Sequence, residues 1–316
     1  MKGAVLLVSH GSVDELDDLP AFLTNVRRGR PPPPELVQEL RRRYEAIGGR
    51  SPLNASNAEI ARRLEGRLGV TVAWANRLFR PYVRDVVLGL VREGVTRIAV
   101  VPLAQHSAHV YEEDARRAAL GTGVAVACAP NWGQDAGLCL AFASRIAGTL
   151  ASLRSSDSSA SHSGTTVVAT AHSLPRSVID AGDPYEREVR AAADAVVALL
   201  RTRFGREEHW AMAFQSQGMA DAGPGGRAAP WLGPDLRATL DDVSSRGDRR
   251  VVFAPIGFLA DHVEILYDLD VEARAMALER GLSYARVPSL NADGDFIEVL
   301  ARVAMPLLHR DHESDG

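Results

Sequence analysis

Nine histidines stand in this chain of 316 residues, and four of them follow apolar runs that read as strands. His10 comes after Leu6-Leu7-Val8-Ser9, and His106 after Val100-Val101-Pro102-Leu103-Ala104-Gln105. His172 follows Val167–Ala171, and His262 closes the stretch that starts at Val251. Imidazole titrates near neutral pH and binds transition metals. In open parallel sheets, ligands bind beyond the carboxyl ends of the strands. One histidine at such a place can equally sit in a capped βα loop; four together point to a shared site.

The segment Asp261-His262-Val263-Glu264 carries more. It reads first as a capping box, with Asp261 as N-cap and Glu264 reaching back to it. That reading leaves the next residues unexplained. Glu264, Asp268 and Glu272 are spaced i, i+4, i+8 and share a helical face. Each like-charge pair at this spacing costs roughly 0.2–0.5 kcal/mol, and no Lys or Arg interleaves on that face. A cation offsetting the repulsion is one explanation, and the oxygen ligands of Asp268 and Glu272 suit a hydrated ion such as Mg²⁺. A solvated acidic face is the other. His172 with Glu264 supplies one nitrogen and one carboxylate. That pair is too sparse for a permanent cage and suits a site that takes up Fe²⁺ and passes it on. The imidazole can also accept protons.

Basic residues cluster at Arg27-Arg28-Gly29-Arg30 and Arg41-Arg42-Arg43-Tyr44. They read either as a solvated helix face or as an anchor for carboxylates, which Arg binds bidentately. Gly48-Gly49-Arg50-Ser51-Pro52-Leu53 reads as a turn and cap before a helix. It is not a Walker A loop, and no G-x-G-x-x-G follows a strand.

Elements must position these groups. Strands are expected near Ala4–Val8, Val70–Trp74, Arg97–Leu103, Val124–Cys128, Thr166–Ala171, Trp210–Phe214, Val251–Ile256 and Ser283–Val287. Helical periodicity fills Glu35–Ile47, Asn57–Leu68, Tyr82–Arg92, Gly133–Leu153, Tyr185–Phe204 and His262–Gly281. Such alternation implies α/β architecture with parallel sheets and right-handed crossovers. Four strands fall on each side of the Ser-rich stretch Ser152–Ser163. The expected organisation is two Rossmann-like, doubly wound halves, 1-153 and 166-316, joined by a linker or loop at 154-165 and flanking a central cleft. The openings of the halves echo each other: Leu6-Leu7-Val8-Ser9-His10-Gly11-Ser12 and Val167-Val168-Ala169-Thr170-Ala171-His172-Ser173.

Composition narrows the chemistry. A net charge of −4, from 36 basic and 40 acidic residues, argues against nucleic-acid binding through bulk positive charge. Two cysteines build neither a disulfide framework nor an iron–sulfur cluster with four thiolates. The apolar start runs directly into Ser9-His10-Gly11-Ser12 and is too short for a signal peptide. No run of about 18 apolar residues stands out as a membrane span. The chain is read as a cytoplasmic monomer with a frayed polar tail from His309 to Gly316.

Several of these blocks resemble the ferrochelatase family. Arg27-Arg28-Gly29-Arg30, then Arg43-Tyr44-Glu45-Ala46-Ile47-Gly48-Gly49 and Ser51-Pro52-Leu53, is similar to its amino-terminal signature, in the form of the bacterial coproporphyrin III enzymes. Pro102-Leu103-Ala104-Gln105-His106-Ser107 resembles its strand-to-loop motif. Ala171-His172-Ser173-Leu174-Pro175 and Gly182-Asp183-Pro184-Tyr185 resemble the segment with the catalytic His. Phe214-Gln215-Ser216-Gln217 with Trp231-Leu232-Gly233-Pro234 resembles a further block, and Pro255-Ile256-Gly257-Phe258 through Glu264 and Tyr267-Asp268 the block with the catalytic Glu. The resemblance implies the chelatase fold and insertion of Fe²⁺ into a porphyrin, coproporphyrin III or protoporphyrin IX, in haem biosynthesis. It implies His172 and Glu264 as catalytic and iron-binding, and Asp268 and Glu272 as an outer hydrated-metal site. It implies Arg27, Arg43, Tyr44 and Ser51 as porphyrin contacts, with His106, Asp261 and His262 in support. Iron is then a substrate, no cofactor is tightly bound, and Mg²⁺ is the candidate for the outer site. A base beside the ring fits the loss of two pyrrole protons, and binding energy from remote ring carboxylates can bend the macrocycle.

One departure stands out. In the coproporphyrin-type enzymes a Tyr precedes the first-loop Gly and faces the metal centre; here that position is His10, counted among the substrate-binding residues. Ser9-His10-Gly11-Ser12 also resembles cobalt and nickel chelatases, and His is the stronger ligand for Co²⁺, Ni²⁺ or Fe²⁺. A Co²⁺ or Ni²⁺ tetrapyrrole chelatase and a non-catalytic haem or porphyrin carrier are therefore the alternatives.

Overall fold

The computed structural model describes residues 2–156, 164–217 and 230–309. Strands β1 (Gly3–Ser9), β2 (Thr71–Asn76), β3 (Arg97–Pro102) and β4 (Ala125–Cys128) form one parallel sheet in the order β2-β1-β3-β4. Strands β5 (Thr165–His172), β6 (His209–Gln215), β7 (Arg250–Ala254) and β8 (Ser283–Arg286) form a second in the order β6-β5-β7-β8. All eight strands fall where the apolar runs predict them. A parallel strand covered on both faces needs near-continuous apolar sequence, and β1 answers with Ala4, Val5, Leu6, Leu7 and Val8, all at 0% exposure.

In the first sheet, α4 (Val83–Arg92) and α5 (Ala108–Ala119) close over Ala4, Leu6 and Val8 through Val83, Val87, Leu90, Tyr111 and Ala115. Helices α1 (Leu19–Val26), α2 (Pro34–Ala46) and α3 (Leu53–Leu68) lie between β1 and β2 in the chain. In the second sheet, period-2 alternation sorts the strand residues. After β5 and the short α7 (Arg176–Asp180), Ala171 and Phe214 meet Tyr185 and Val189 of α8 (Tyr185–Phe204). Val168, Ala213, Val251 and Phe253 meet Leu236 and Leu240 of α9 (Leu236–Ser245) and Ile265 of α10 (Val263–Tyr267).

The chain forms two compact units, and they are not two consecutive halves. The first is built from the chain up to Gly137, the segment Leu259–His262 and the chain from Leu290 on; the second from Leu138–Phe258 and Val263–Ser289. The boundary at 1-153 and 166-316 is thus corrected at both ends. The last helix, α12 (Gly294–His309), lies against β1, β3 and α3 of the first unit. Its buried stripe of Phe296, Ile297, Leu300 and Leu307 finds cover there, each large side chain contributing roughly 1.5–3 kcal/mol when fully buried. Trp132 stacks on Phe296 at 6.3 Å. The expected linker shrinks too, because α6 (Ala136–Ser156) runs to Ser156 and β5 starts at Thr165; 157–163 and the tail after His309 lie outside the described residues.

Two further differences concern helices. α6 is long and apolar enough, over Ala136–Leu153, to cross a membrane by composition alone. Here Leu138, Phe142, Ile146 and Leu150 repeat at i+4 and are buried within the protein, which makes it a core helix. The continuous helix expected over His262–Gly281 is α10, a π turn at Asp268–Ala273 and α11 (Arg274–Glu279).

Candidate functional site

His172 ends β5 and is the register partner of Gln215, which ends β6. Alternation puts both on the sheet face that α10 and the π turn cover. Glu264, in the first turn of α10, therefore comes to His172, with Nε2 and Oε1 3.5 Å apart. Two donors at this separation can occupy neighbouring positions around one ion at bond lengths of about 2.0–2.2 Å. The other ring nitrogen, Nδ1, donates to the carbonyl of Ser173, which fixes the tautomer and aims Nε2 at the carboxylate. Tyr185 Oη donates to the His172 carbonyl at 2.9 Å, and the Ser173 amide donates to the Gln215 carbonyl at 2.7 Å. Gly257 presses on the strand from the other side. Its amide donates to the Thr170 carbonyl at 2.9 Å, and a Cβ there would lie 2.5 Å from that of Ala171. Only glycine fits.

Charge then decides protonation. Burial pushes the His172 imidazole toward the neutral form. The charge and hydrogen bond of Glu264, the Ser173 carbonyl and the charge of Asp268 override it, lifting its pKa to about 9. At neutral pH the ring holds a proton next to a carboxylate. Both groups are about one-third exposed, so a ligand can reach them. Asp268 is 3% exposed and accepts from the Ser216 hydroxyl. Glu272 is half-buried one turn on, within the π turn.

Among the described residues, no three or more His, Cys, Asp or Glu side chains are arranged to hold a metal ion. The donor set is a pair with a nearby charge. The capping-box reading is corrected: α10 begins at Val263, and Asp261 Oδ2 accepts from Asn291 Nδ2 at 3.0 Å. Glu264 turns to His172 instead. His262 Nδ1 donates to the Ala260 carbonyl at 3.1 Å.

The remaining expected residues belong to the first unit. His10 is exposed at the end of β1, its Nδ1 3.4 Å from Tyr111 Oη. His106 is not an accessible ligand, being 2% exposed. Burial lowers its pKa to about 4, so it is a neutral core ring. A Cβ at residue 133 would come within 2.0 Å of that ring, so glycine is required there as well. Tyr44 is 1% exposed and its hydroxyl lies 2.8 Å from Ser12 Oγ. Ser51 is buried, with Oγ accepting from the Leu53 amide at 3.3 Å. Arg43 Nε reaches Glu39 at 2.8 Å, and Arg42 grips the same carboxylate. Hydrogen bonds from Arg42 and Arg43, against the cost of burial, hold the Glu39 pKa at about 2. Arg27 is half-buried at the end of α1, and its amide donates to the Leu23 carbonyl at 2.9 Å.

A buried polar network ties this end of the first sheet, and nothing in the sequence pattern singled it out. Ser9 Oγ donates to Asn76 Oδ1 at 2.6 Å and accepts from Asn57 Nδ2 at 2.8 Å. Asn76 Nδ2 donates to Asn54 Oδ1 at 3.0 Å, and Asn54 Nδ2 to the Ser12 carbonyl at 3.2 Å. Isolated asparagines carry no period, which is why they escape pattern reading. Gln215 and Ser216 were missed as site residues, although Phe214-Gln215-Ser216-Gln217 is among the blocks that carry the resemblance.

Fold and site together define an α/β protein with a proton-holding His–carboxylate pair at a strand end. The solved structure of SirB from Bacillus subtilis with Fe³⁺ shares the fold, with a TM-score of 0.57 and 15% identity over 98% of this chain and 96% of that one. The ferrochelatase family model matches residues 2–307, and the chain belongs to the ferrochelatase family. A ferrochelatase of Acidobacterium capsulatum is 35% identical over all of this chain and 97% of its own. The coproporphyrin III ferrochelatase of Bacillus subtilis is 32% identical over 98% of this chain and 99% of its own.

Proposed function

We propose that this protein inserts Fe²⁺ into coproporphyrin III. The observation that carries the reading is the pairing of His172 Nε2 with Glu264 Oε1 at the end of β5. Insertion replaces two pyrrole N–H protons by one Fe²⁺. The pair holds a proton while no cation is present and gives it up when a metal competes for Nε2 and the carboxylate. As iron leaves for the ring, the same atoms are bases for the pyrrole protons. Asp268 adds negative charge beside the pair, and Glu272 follows one turn on; such charge draws a hydrated divalent ion, Mg²⁺ included.

The choice of porphyrin rests on Arg27 and Arg43 and on relatives named coproporphyrin III ferrochelatase in Bacillus subtilis and Oceanobacillus iheyensis. Coproporphyrin III offers four ring carboxylates. Arg43 already grips a carboxylate, that of Glu39, so ring binding is an exchange of one carboxylate for another. His10 beside Tyr111 supports a second reading, with Co²⁺ or Ni²⁺ as the metal.

One assay separates them: purified protein with coproporphyrin III or protoporphyrin IX, each with Fe²⁺, Co²⁺ or Ni²⁺, followed by the porphyrin absorption bands. Fe²⁺ with coproporphyrin III is expected to turn over fastest. Faster turnover of protoporphyrin IX overturns the substrate, and faster Co²⁺ or Ni²⁺ insertion overturns the metal.

A further inference from the structure

Gln215 is the cross-strand partner of His172 and bonds the backbone of Glu264, and the inference drawn from it rests on the reading of that pair as the iron-handling site. The residue is 2% exposed. Its carbonyl accepts from the Ser173 amide at 2.7 Å, and the Ser173 carbonyl in turn accepts a hydrogen bond from His172 Nδ1. Its side-chain Nε2 donates to the Glu264 carbonyl at 2.9 Å. One residue thus fastens the segment behind the imidazole and the turn that carries the carboxylate.

The acceptor is a particular one. The usual helical donor to the Glu264 carbonyl is the amide of Asp268, four residues on. Asp268 opens the π turn, where the ladder changes from i+4 to i+5 bonding. The carboxamide grips α10 in the turn that precedes this change of ladder.

Packing does not account for a Gln here. Its Oε1 is buried with no hydrogen-bond partner among the described residues, and the same holds for Thr170 Oγ1, two residues before His172 on the same sheet face. The core below is apolar, with Val168, Ala213, Ile265 and Leu269. Burying an acceptor without a donor is unfavourable, and an apolar side chain of similar shape avoids it. The carboxamide is kept at a cost to stability, and its bond to Glu264 is what it provides.

We propose that Gln215 is a positioning residue: its carboxamide holds the first turn of α10 to the end of β6 and so sets the separation of Glu264 from His172. A residue in this role governs iron handling and leaves porphyrin binding alone. A residue of general structural importance affects both.

The test is steady-state insertion by the full-length protein with each substrate varied in turn. Gln215→Met keeps the length and burial and removes the donor. Loss of such an outer partner typically costs about 10–100-fold, so kcat/KM for Fe²⁺ is expected to fall by about that factor, with KM for porphyrin moving by less than about twofold. Gln215→Asn keeps the carboxamide but is too short to reach; it is expected to show the same iron-specific loss, and it carries the test if the Met variant does not fold. Unchanged iron kinetics in these variants overturn the proposal, as does an equal rise in both KM values. If the unsubstituted protein inserts no iron into any porphyrin, the functional reading itself falls, and the inference with it.

Discussion

The two sheets share a strand order, and the first strand of each leads to a histidine, His10 just after β1 and His172 as the last residue of β5, yet the two histidines keep different company. His10 is exposed beside the neutral hydroxyl of Tyr111, above a network of asparagines and Ser9. His172 is half-buried beside Glu264 and feels Asp268. Both rings stand at the carboxyl end of a first strand; the partner that the next layer supplies differs. A phenol leaves charge unchanged, whereas a carboxylate makes an imidazole hold a proton at neutral pH. Chemistry at equivalent strand ends is set by the covering helix, here α10 and its π turn.

The contrast can be broken at its strongest point by removing each ring. His172→Ala is expected to lower iron insertion by about 10²–10⁴-fold, the usual worth of a placed acid–base group, with the circular dichroism spectrum unchanged. His10→Ala is expected to lose far less. Equal losses would mean that the two strand ends do equivalent work.

The next effect is one of pH. Glu264→Gln removes the partner that raises the His172 pKa, so the imidazole proton, held to about pH 9 in the native protein, should leave nearer the ordinary value of about 6.5. NMR titration of the ring, assigned by its loss in His172→Ala, reads this directly. Linkage gives the matching stability change. A raised folded-state pKa stabilises below the unfolded value, and that stabilisation is lost as pH rises through the folded value. The native protein should therefore lose melting temperature relative to His172→Ala between about pH 6.5 and about pH 9. A flat difference across that window would show that Glu264 does not charge the ring.

The smallest effect belongs to the first sheet. Asn76→Ala strips partners from Ser9 and Asn54 and should cost about 1–3 kcal/mol in urea unfolding, the penalty for buried polar groups left unpaired. Neutral stability in that variant would mean that the asparagine network is not what steadies the end of β1.

Much of this was readable from the chain. The strands announced themselves because a parallel strand buried on both faces needs a run of apolar residues, as in Val167–Ala171. His172 and Glu264 stood out as candidates because strand ends and i+4 spacing are local facts, and the fold brings their side chains together. Other features depend on contacts between distant segments. The apolar stripe of α12 marks a buried helix but not which sheet it covers. His106 looked like its neighbours at strand ends, and only the fold shows the ring sealed in the core. Asp261 has the right spacing for a cap, but Asn291, remote in sequence, claims its carboxylate. The π turn leaves no periodic trace, and Gln215, lying between Phe214 and Ser216, does not reveal that its amide turns inward.

The close approach of residue 133 to the His106 ring has an evolutionary side. A side chain at 133 and an imidazole at 106 compete for the same space, so substitutions at the two positions are sterically coupled. A descendant that shrinks residue 106 releases position 133 from glycine. One that adds bulk at 133 must first surrender the ring, so the order of the two changes decides whether the path is open.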